Sequence, residues 1–181
     1  MVKVDPKQVS RLRTETGAGV MDSKKALEAA KGDFEKAKSI LKEKGLASAT
    51  KRGDREAKEG VVEAYIHGGG RIGALVELSS ETDFVARNPE FRELAKAIAM
   101  QVAAMSPKHV SWELLKDDEI KELLEEHGDE KTAKAAAVLM HQPYIKDQSK
   151  TIGDLVTQLA ATTGENIKIR RIARFQLGEA A

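Results

Sequence analysis

Apolar residues recur at helical spacing through the first 45 positions. Residues 4–14 read as a short helix, with Asp5 as its candidate cap, Pro6 at its first position, and Val9 and Leu12 on one side. The turn Thr16-Gly17-Ala18-Gly19 follows. Asp22 is the expected N-cap of a second helix over Ser23–Lys31, and Gly32 its stop. Asp33 then caps a third helix, Phe34–Lys44, which Gly45 is expected to end. Leu27, Phe34, Ala37, Ile40 and Leu41 would close a three-helix unit whose core is marginal at this size. Val20 and Met21 lie outside that apolar set, and folding alone gives no reason for them.

Beyond residue 58 the period changes. Val61–His67 alternates in part and is rich in β-formers, Gly68-Gly69-Gly70 makes a turn, and Arg71–Ser79 alternates again. The spacing predicts an antiparallel hairpin. Pro89–Met105 carries Phe91, Leu94, Ile98 and Met105 on one stripe, with Ala95 and Val102 between them, and reads as a buried-face helix that Ser106-Pro107 ends. Ser111 is a candidate cap for Trp112–Leu115, and Asp117-Asp118-Glu119 opens an acidic helix containing Ile120, Leu123 and Leu124. Gly128 breaks it before the Ala-rich segment 132–140. Ile145-Lys146-Asp147 is a short extended piece. Lys150–Gly164 reads as a capped helix, and residues 166–177 alternate as a long strand. Ile167, Ile169, Arg171, Ala173, Phe175 and Leu177 share one parity there, which predicts one apolar face interrupted by Arg171.

Together these elements predict an α+β chain: a three-helix N-terminal domain over 1–45, a linker or solvated helix over 46–58, and a body over 59–181. In that body a three-stranded antiparallel sheet packs against helices. Both parities of Val61–Ile66 are largely apolar, so a second sheet related by a twofold axis is the expected cover of the far face.

Between the second strand and the long helix stands Glu81-Thr82-Asp83-Phe84-Val85-Ala86-Arg87-Asn88-Pro89. Thr82 or Asp83 suits the cap of a short helical turn, and Asn88-Pro89 the start of the next helix. Phe84 has two readings. It plugs the core beneath a capped strand-to-helix turn, or it stands beside an acid on a stiff turn aimed at another molecule.

Composition narrows the chemistry. The 181 residues are 41% hydrophobic and 33% charged, with aromatics at only 4%, so small aliphatic side chains must fill the core. Cysteine is absent, which excludes disulfide and thiol chemistry. No apolar run approaches the roughly 20 residues a bilayer span requires, and Met1–Pro6 lacks the apolar core of a signal peptide, so a cytoplasmic location is expected. Net charge is +1 but uneven. Residues 1–58 carry 15 Lys/Arg against 9 Asp/Glu, and residues 59–142 carry 9 against 16. A basic head leaves open nucleic-acid contact through Lys51, Arg52 and Arg55, binding to an acidic protein surface, or plain solubility.

No HExxH motif, phosphate loop, Rossmann fingerprint or nucleophile elbow is present. His67, His109, His127 and His141 are far apart in sequence. No catalytic residue, metal or cofactor is expected, and the chain reads as one that acts by contact.

Three blocks carry a resemblance to bacterial elongation factor Ts: Leu12–Leu27, Glu81–Asn88, and Ser149–Leu155 with the strand ending Arg174–Glu179. The likeness spans nearly the whole chain. It implies a ubiquitin-associated-like head, protein biosynthesis as the setting, and guanine-nucleotide exchange on elongation factor Tu without covalent chemistry. It also implies that the turn Thr82, Asp83, Phe84 and Val85 enters the partner near its Mg²⁺ and promotes loss of Mg²⁺ and GDP. In the head it implies partner contact through Leu12, Val20, Met21 and Lys24. Only one copy of the sheet-bearing body is present and no long coiled-coil insertion. The chain therefore resembles the short class, for which a homodimer and a two-plus-two complex are implied, with no direct nucleic-acid or membrane contact. A three-helix unit of this kind also suits a binder of ubiquitin-like domains, and a soluble enzyme with a hidden site is a further alternative.

Overall fold

The structure is a computed structural model that describes residues 4–16 and 18–179; Gly17 of the expected turn and residues 1–3 lie outside it. The chain divides into two compact units. One holds Met1–Arg55 with Thr157–Asn166, and the other holds Glu56–Val156 with Ile167–Ala181.

In the first unit α1 (Pro6–Thr16), α2 (Val20–Ala29) and α3 (Phe34–Lys51) close around Leu12, Ala26, Leu27, Ala37 and Leu41. Of the boundaries that differ from expectation, those of α2 and α3 have a visible cause. Helix α2 begins at Val20, with extended Gly19 as its N-cap, so Asp22 sits inside the first turn. Its carboxylate instead accepts a hydrogen bond from Lys44 on α3. Helix α3 runs through Gly45 to Lys51 rather than ending there. The reason lies across the unit, where the last turns of α8 (Ile152–Thr163) pack on it. A Cβ built at Gly45 would stand 3.0 Å from the Ala161 Cβ, so Gly45 permits close helix approach instead of stopping a helix. Arg52 donates to the Ala160 carbonyl at 3.2 Å and to Ser48 Oγ at 2.7 Å. Asn166, buried, donates to the carbonyls of Gly53 and Arg55 at 3.1 and 2.6 Å.

The second unit is built on an antiparallel sheet of order β1 (Glu59–His67), β2 (Ile72–Ser80), β5 (Lys168–Gln176). Helix α5 (Pro89–Met105) lies along its inner face and seals Val76, Leu78, Phe91, Ile98 and Val102 completely. Asn88 caps α5 by accepting from the Glu90 amide at 2.8 Å, with Pro89 at the first helical position. Met105, expected on the buried stripe, is 44% exposed at the last position of α5, where Ser106 turns left-handed directly after it.

The single apolar parity expected for residues 167–177 does not survive. Glu77 pairs with Arg171 but Leu78 pairs with Ile169, so Arg170 is an extra residue, a β-bulge. The guanidinium of Arg170 donates to the Ala57 carbonyl at 2.6 Å. Side chains before and after the bulge exchange faces: Ile167 and Ile169 are buried inward, whereas Phe175 and Leu177 stand outward and exposed.

Residues 106–142 form an excursion with a small core of its own. Helices α6 (Asp117–His127) and α7 (Glu130–Ala137) bury Leu123, Ala133 and Ala137, with Trp112 and Leu115 packed against them. Gln101 and Gln142, both fully buried, tie it to α5. Gln101 donates to Gln142 Oε1 at 3.2 Å and to the Pro143 carbonyl at 3.1 Å, and accepts from the Ile145 amide at 3.0 Å. The extended piece expected near 145 is the loop of a small hairpin, β3 (Pro143–Tyr144) with β4 (Asp147–Thr151). Thr151 and Asp154 then exchange hydrogen bonds reciprocally at the start of α8.

Candidate functional site

Strand β2 delivers the chain to α4 (Asp83–Ala86), a single helical turn held at both ends. Ser80 Oγ, fully buried, donates to the Thr82 carbonyl at 3.0 Å. Thr82 is extended, as an N-cap must be, and its hydroxyl accepts from the Val85 amide at 3.5 Å. On the far side the amides of Arg87 and Asn88 close onto the carbonyls of Asp83 and Val85 at 3.0 Å each. Arg92 on α5 donates to the Ala86 carbonyl at 3.0 Å, and Ala86 itself is buried. The backbone of the turn is therefore anchored along its length.

Its side chains divide sharply. Ala86 points inward, Val85 is half-buried, and Thr82 is exposed. Phe84 is 83% exposed, which excludes the core-plug reading. A rigid turn that leaves its one aromatic in water is not optimised for the chain's own stability. The Asp83 carboxylate meets the Arg87 guanidinium at 2.9 Å across one turn of helix. Sequence reading passed over Arg87, although its four-residue spacing from Asp83 was the available signal.

In the head, Val20 and Met21 are 53% and 61% exposed on the first turn of α2. Lys24 is exposed one turn further on, with Glu28 at 3.9 Å. Leu12 differs from the other residues expected to contact a partner. It is completely buried at the centre of the head's core, because its place on α1 faces α2 and α3, so its contribution is to packing. The Lys44 ammonium, hydrogen-bonded to Asp22 beside Met21, holds that carboxyl below its usual range. Of the basic residues that left nucleic-acid contact open, Arg52 is engaged within the first unit.

Elsewhere the chemistry is sparse. His67 stacks on Tyr65 with ring centroids 5.9 Å apart, and His109 lies 4.0 Å from Glu119. Among the described residues no three His, Cys, Asp or Glu side chains gather as a metal site, and no helix is long and apolar enough to cross a membrane.

The outer face of the sheet is the second feature. Val62, Ile66, Leu75, Phe175 and Leu177 stand exposed together, and a groove of about 470 Å³ runs between Ile66 and Phe175 over Gly73. The adjacent pair Arg170-Arg171, out of step with strict alternation, was the only sequence sign of the bulge that brings Phe175 here.

An anchored acidic–aromatic turn, a small helical head with its own exposed apolar turn, and a bare sheet face are the features these two units present to solvent. The Elongation factor TS family model matches residues 35–136. The chain is 48% identical to elongation factor Ts of Finegoldia magna, over 99% of this chain and 92% of that protein. It is 47% identical to elongation factor Ts of Caldanaerobacter subterraneus subsp. tengcongensis, over 97% and 98%. Its identity to the chloroplastic elongation factor Ts of Guillardia theta is 48%, over 98% and 90%. The chain belongs to the elongation factor Ts family. Membership makes it a nucleotide-exchange factor of protein biosynthesis, acting on elongation factor Tu by binding and not as an enzyme.

Proposed function

We propose that this chain accelerates loss of Mg²⁺ and then GDP from elongation factor Tu by seating the Thr82–Val85 turn beside the partner's metal site. The observation that carries the reading is Phe84, 83% exposed on a turn whose backbone is tied down on both sides. In a guanine-nucleotide switch the metal is held jointly by protein side chains and the nucleotide phosphates. A wedge that fits only the loosened arrangement of that pocket lowers nucleotide affinity by linkage, and nucleotide lowers wedge affinity by the same factor. Phe84 supplies apolar area worth roughly 1.5–3 kcal/mol if fully buried in the partner. Asp83 supplies a charge-assisted acceptor that orients it. Val20, Met21 and Lys24 of the head provide a second contact with the same partner. The factor accelerates exchange in both directions, so nucleotide supply sets the net outcome.

Two copies associate through the bare outer sheet faces, giving a complex of two factors with two partners in the cytoplasm. Neither nucleic acid nor a membrane takes part directly. The absence of cysteine means that packing alone holds the pair.

The test is release of fluorescent GDP from elongation factor Tu with wild-type chain and with Phe84→Ala. Release should slow markedly in the variant while its circular dichroism and melting curve stay unchanged. Unaltered release, or an unfolded variant, overturns the wedge assignment.

A further inference from the structure

Helix α4 is a single turn of four residues. So short a helix does not sustain itself in water, because nucleation fixes more torsions than its few hydrogen bonds offset. The turn therefore keeps its shape through contacts beyond its own ladder, and these are unequal. The Thr82 hydroxyl accepts from the Val85 amide at 3.5 Å, longer than the usual range for such a bond. The ion pair of Asp83 with Arg87 stands in solvent, the two side chains 45% and 76% exposed, and contributes little. Two shorter bonds come from the body. Ser80 Oγ, sealed at the end of β2, donates to the Thr82 carbonyl at 3.0 Å. Arg92 Nε, in the first turn of α5, donates to the Ala86 carbonyl at 3.0 Å. They grip the first and last carbonyls of the turn, on either side of Phe84.

We infer that Ser80 and Arg92 are positioning residues for nucleotide exchange, acting on the partner only through the stiffness they give to the turn that carries Phe84. The inference rests on the wedge reading proposed above. Once the turn is seated, either the partner's metal pocket gives way to Phe84 or the turn gives way to the pocket. The loosened pocket is populated only as far as the second alternative is disfavoured. Removing either hydrogen bond favours the yielding turn directly, and it leaves the head's contact with the partner as it was.

The bonds can be removed cleanly. Ser80→Ala deletes the donor, while the Thr82 carbonyl keeps the Ala86 amide at 3.3 Å, so no buried acceptor is stranded. At position 92 methionine and glutamine are similar in size. They place a methyl group and an amide nitrogen, respectively, as many bonds from Cα as the arginine Nε. Both substitutions remove the charge, but only Arg92→Gln keeps a donor.

The experiment measures fluorescent-GDP release from elongation factor Tu over a series of factor concentrations, together with amide hydrogen exchange of each free chain. Ser80→Ala and Arg92→Met should each lower the maximal release rate by about three- to tenfold, the range that one lost hydrogen bond spans. The half-saturating factor concentration should move much less, because a lost positioning contact acts after the encounter. The amides of Ala86, Arg87 and Asn88 should exchange faster in both variants, with α5 as protected as in wild type. Arg92→Gln should recover most of the rate and most of the protection. Faster amide exchange with unchanged release, undiminished protection, or an Arg92→Gln variant as slow as Arg92→Met overturns the inference. Should Ser80→Ala lose its fold, the two variants at Arg92 decide alone. If Phe84→Ala itself leaves release unaltered, the wedge reading has failed, a result distinct from failure of the positioning role.

Discussion

The Thr82–Val85 turn and the outer face of the β1–β2–β5 sheet both leave apolar side chains in water, but they do so in different ways. The turn offers one ring on four residues, tied to the body by Ser80, Arg92 and the Asn88 cap. The sheet offers five large side chains spread over three strands. A single aromatic contributes too little area for permanent attachment and enough to bias a pocket between two conformations, as a factor that must leave after each exchange requires. A broad apolar face suits the lasting self-association proposed above. Area thus separates the contact that must be undone from the one that need not be.

The contrast can be broken most forcefully at the sheet. Phe175→Asp places a charge in the middle of the apolar face, and the dimer dissociation constant should rise by more than about a hundredfold. Sedimentation should then show monomers of unchanged helicity; dimers persisting at micromolar concentration would remove this face from the interface. Next in size is Phe84→Ala, for which GDP release should slow by roughly 10- to 100-fold at fixed factor concentration, with the sedimentation of the free chain unaltered. A change in dimerisation would join two features held here to be separate.

Asp83→Ala should have a smaller effect on exchange, about tenfold, through loss of a charge-assisted contact. Arg87→Ala sharpens the point. If Asp83 acts in the partner and not only in its own ion pair, removing Arg87 slows release much less than removing Asp83. Equal losses would assign the carboxylate a purely local role.

The smallest effect concerns the head. Hydrogen bonding to Lys44 lowers the pKa of Asp22, and hydrogen bonds first from Arg11 and then from Lys38 lower that of Glu15. A carboxylate whose folded-state pKa lies below its unfolded value contributes stability at neutral pH. That contribution fades as pH falls through and below the ordinary carboxylate range of about 4. Chemical denaturation at pH 7 and near pH 3.5 should therefore show a modest acid loss that shrinks in Lys44→Ala. These side chains are largely solvated, so an undiminished loss would trace acid sensitivity to other groups.

Much of this architecture was legible in the chain. Helix α5 begins and ends where Asn88-Pro89 and Ser106 place it, because cap chemistry and a steep apolar stripe act locally. The β1–β2 hairpin follows from alternation around three glycines. The Thr82–Val85 turn was legible as a capped turn, whereas the direction of Phe84 was not. Burial depends on what surrounds a side chain, and no neighbour in sequence decides that. Leu12 was misjudged for the same reason: it lies in the block that resembles the family's head, yet it packs inward.

By itself the sequence determined the three-helix head, the β1–β2 hairpin, helix α5, the long last strand, the two-part charge pattern, the lack of thiol chemistry and the family. Each of these depends on residue identity or on spacing within a few turns. Tertiary structure alone decided that α3 passes through Gly45, that Arg170 bulges and turns Phe175 to the outside, and that Phe84 remains in water. In each case a residue more than a hundred positions away, or a whole packed layer, supplies the deciding contact: Ala161 against Gly45, Ala57 for Arg170, and a core already filled by Phe91 and Ile98 without Phe84.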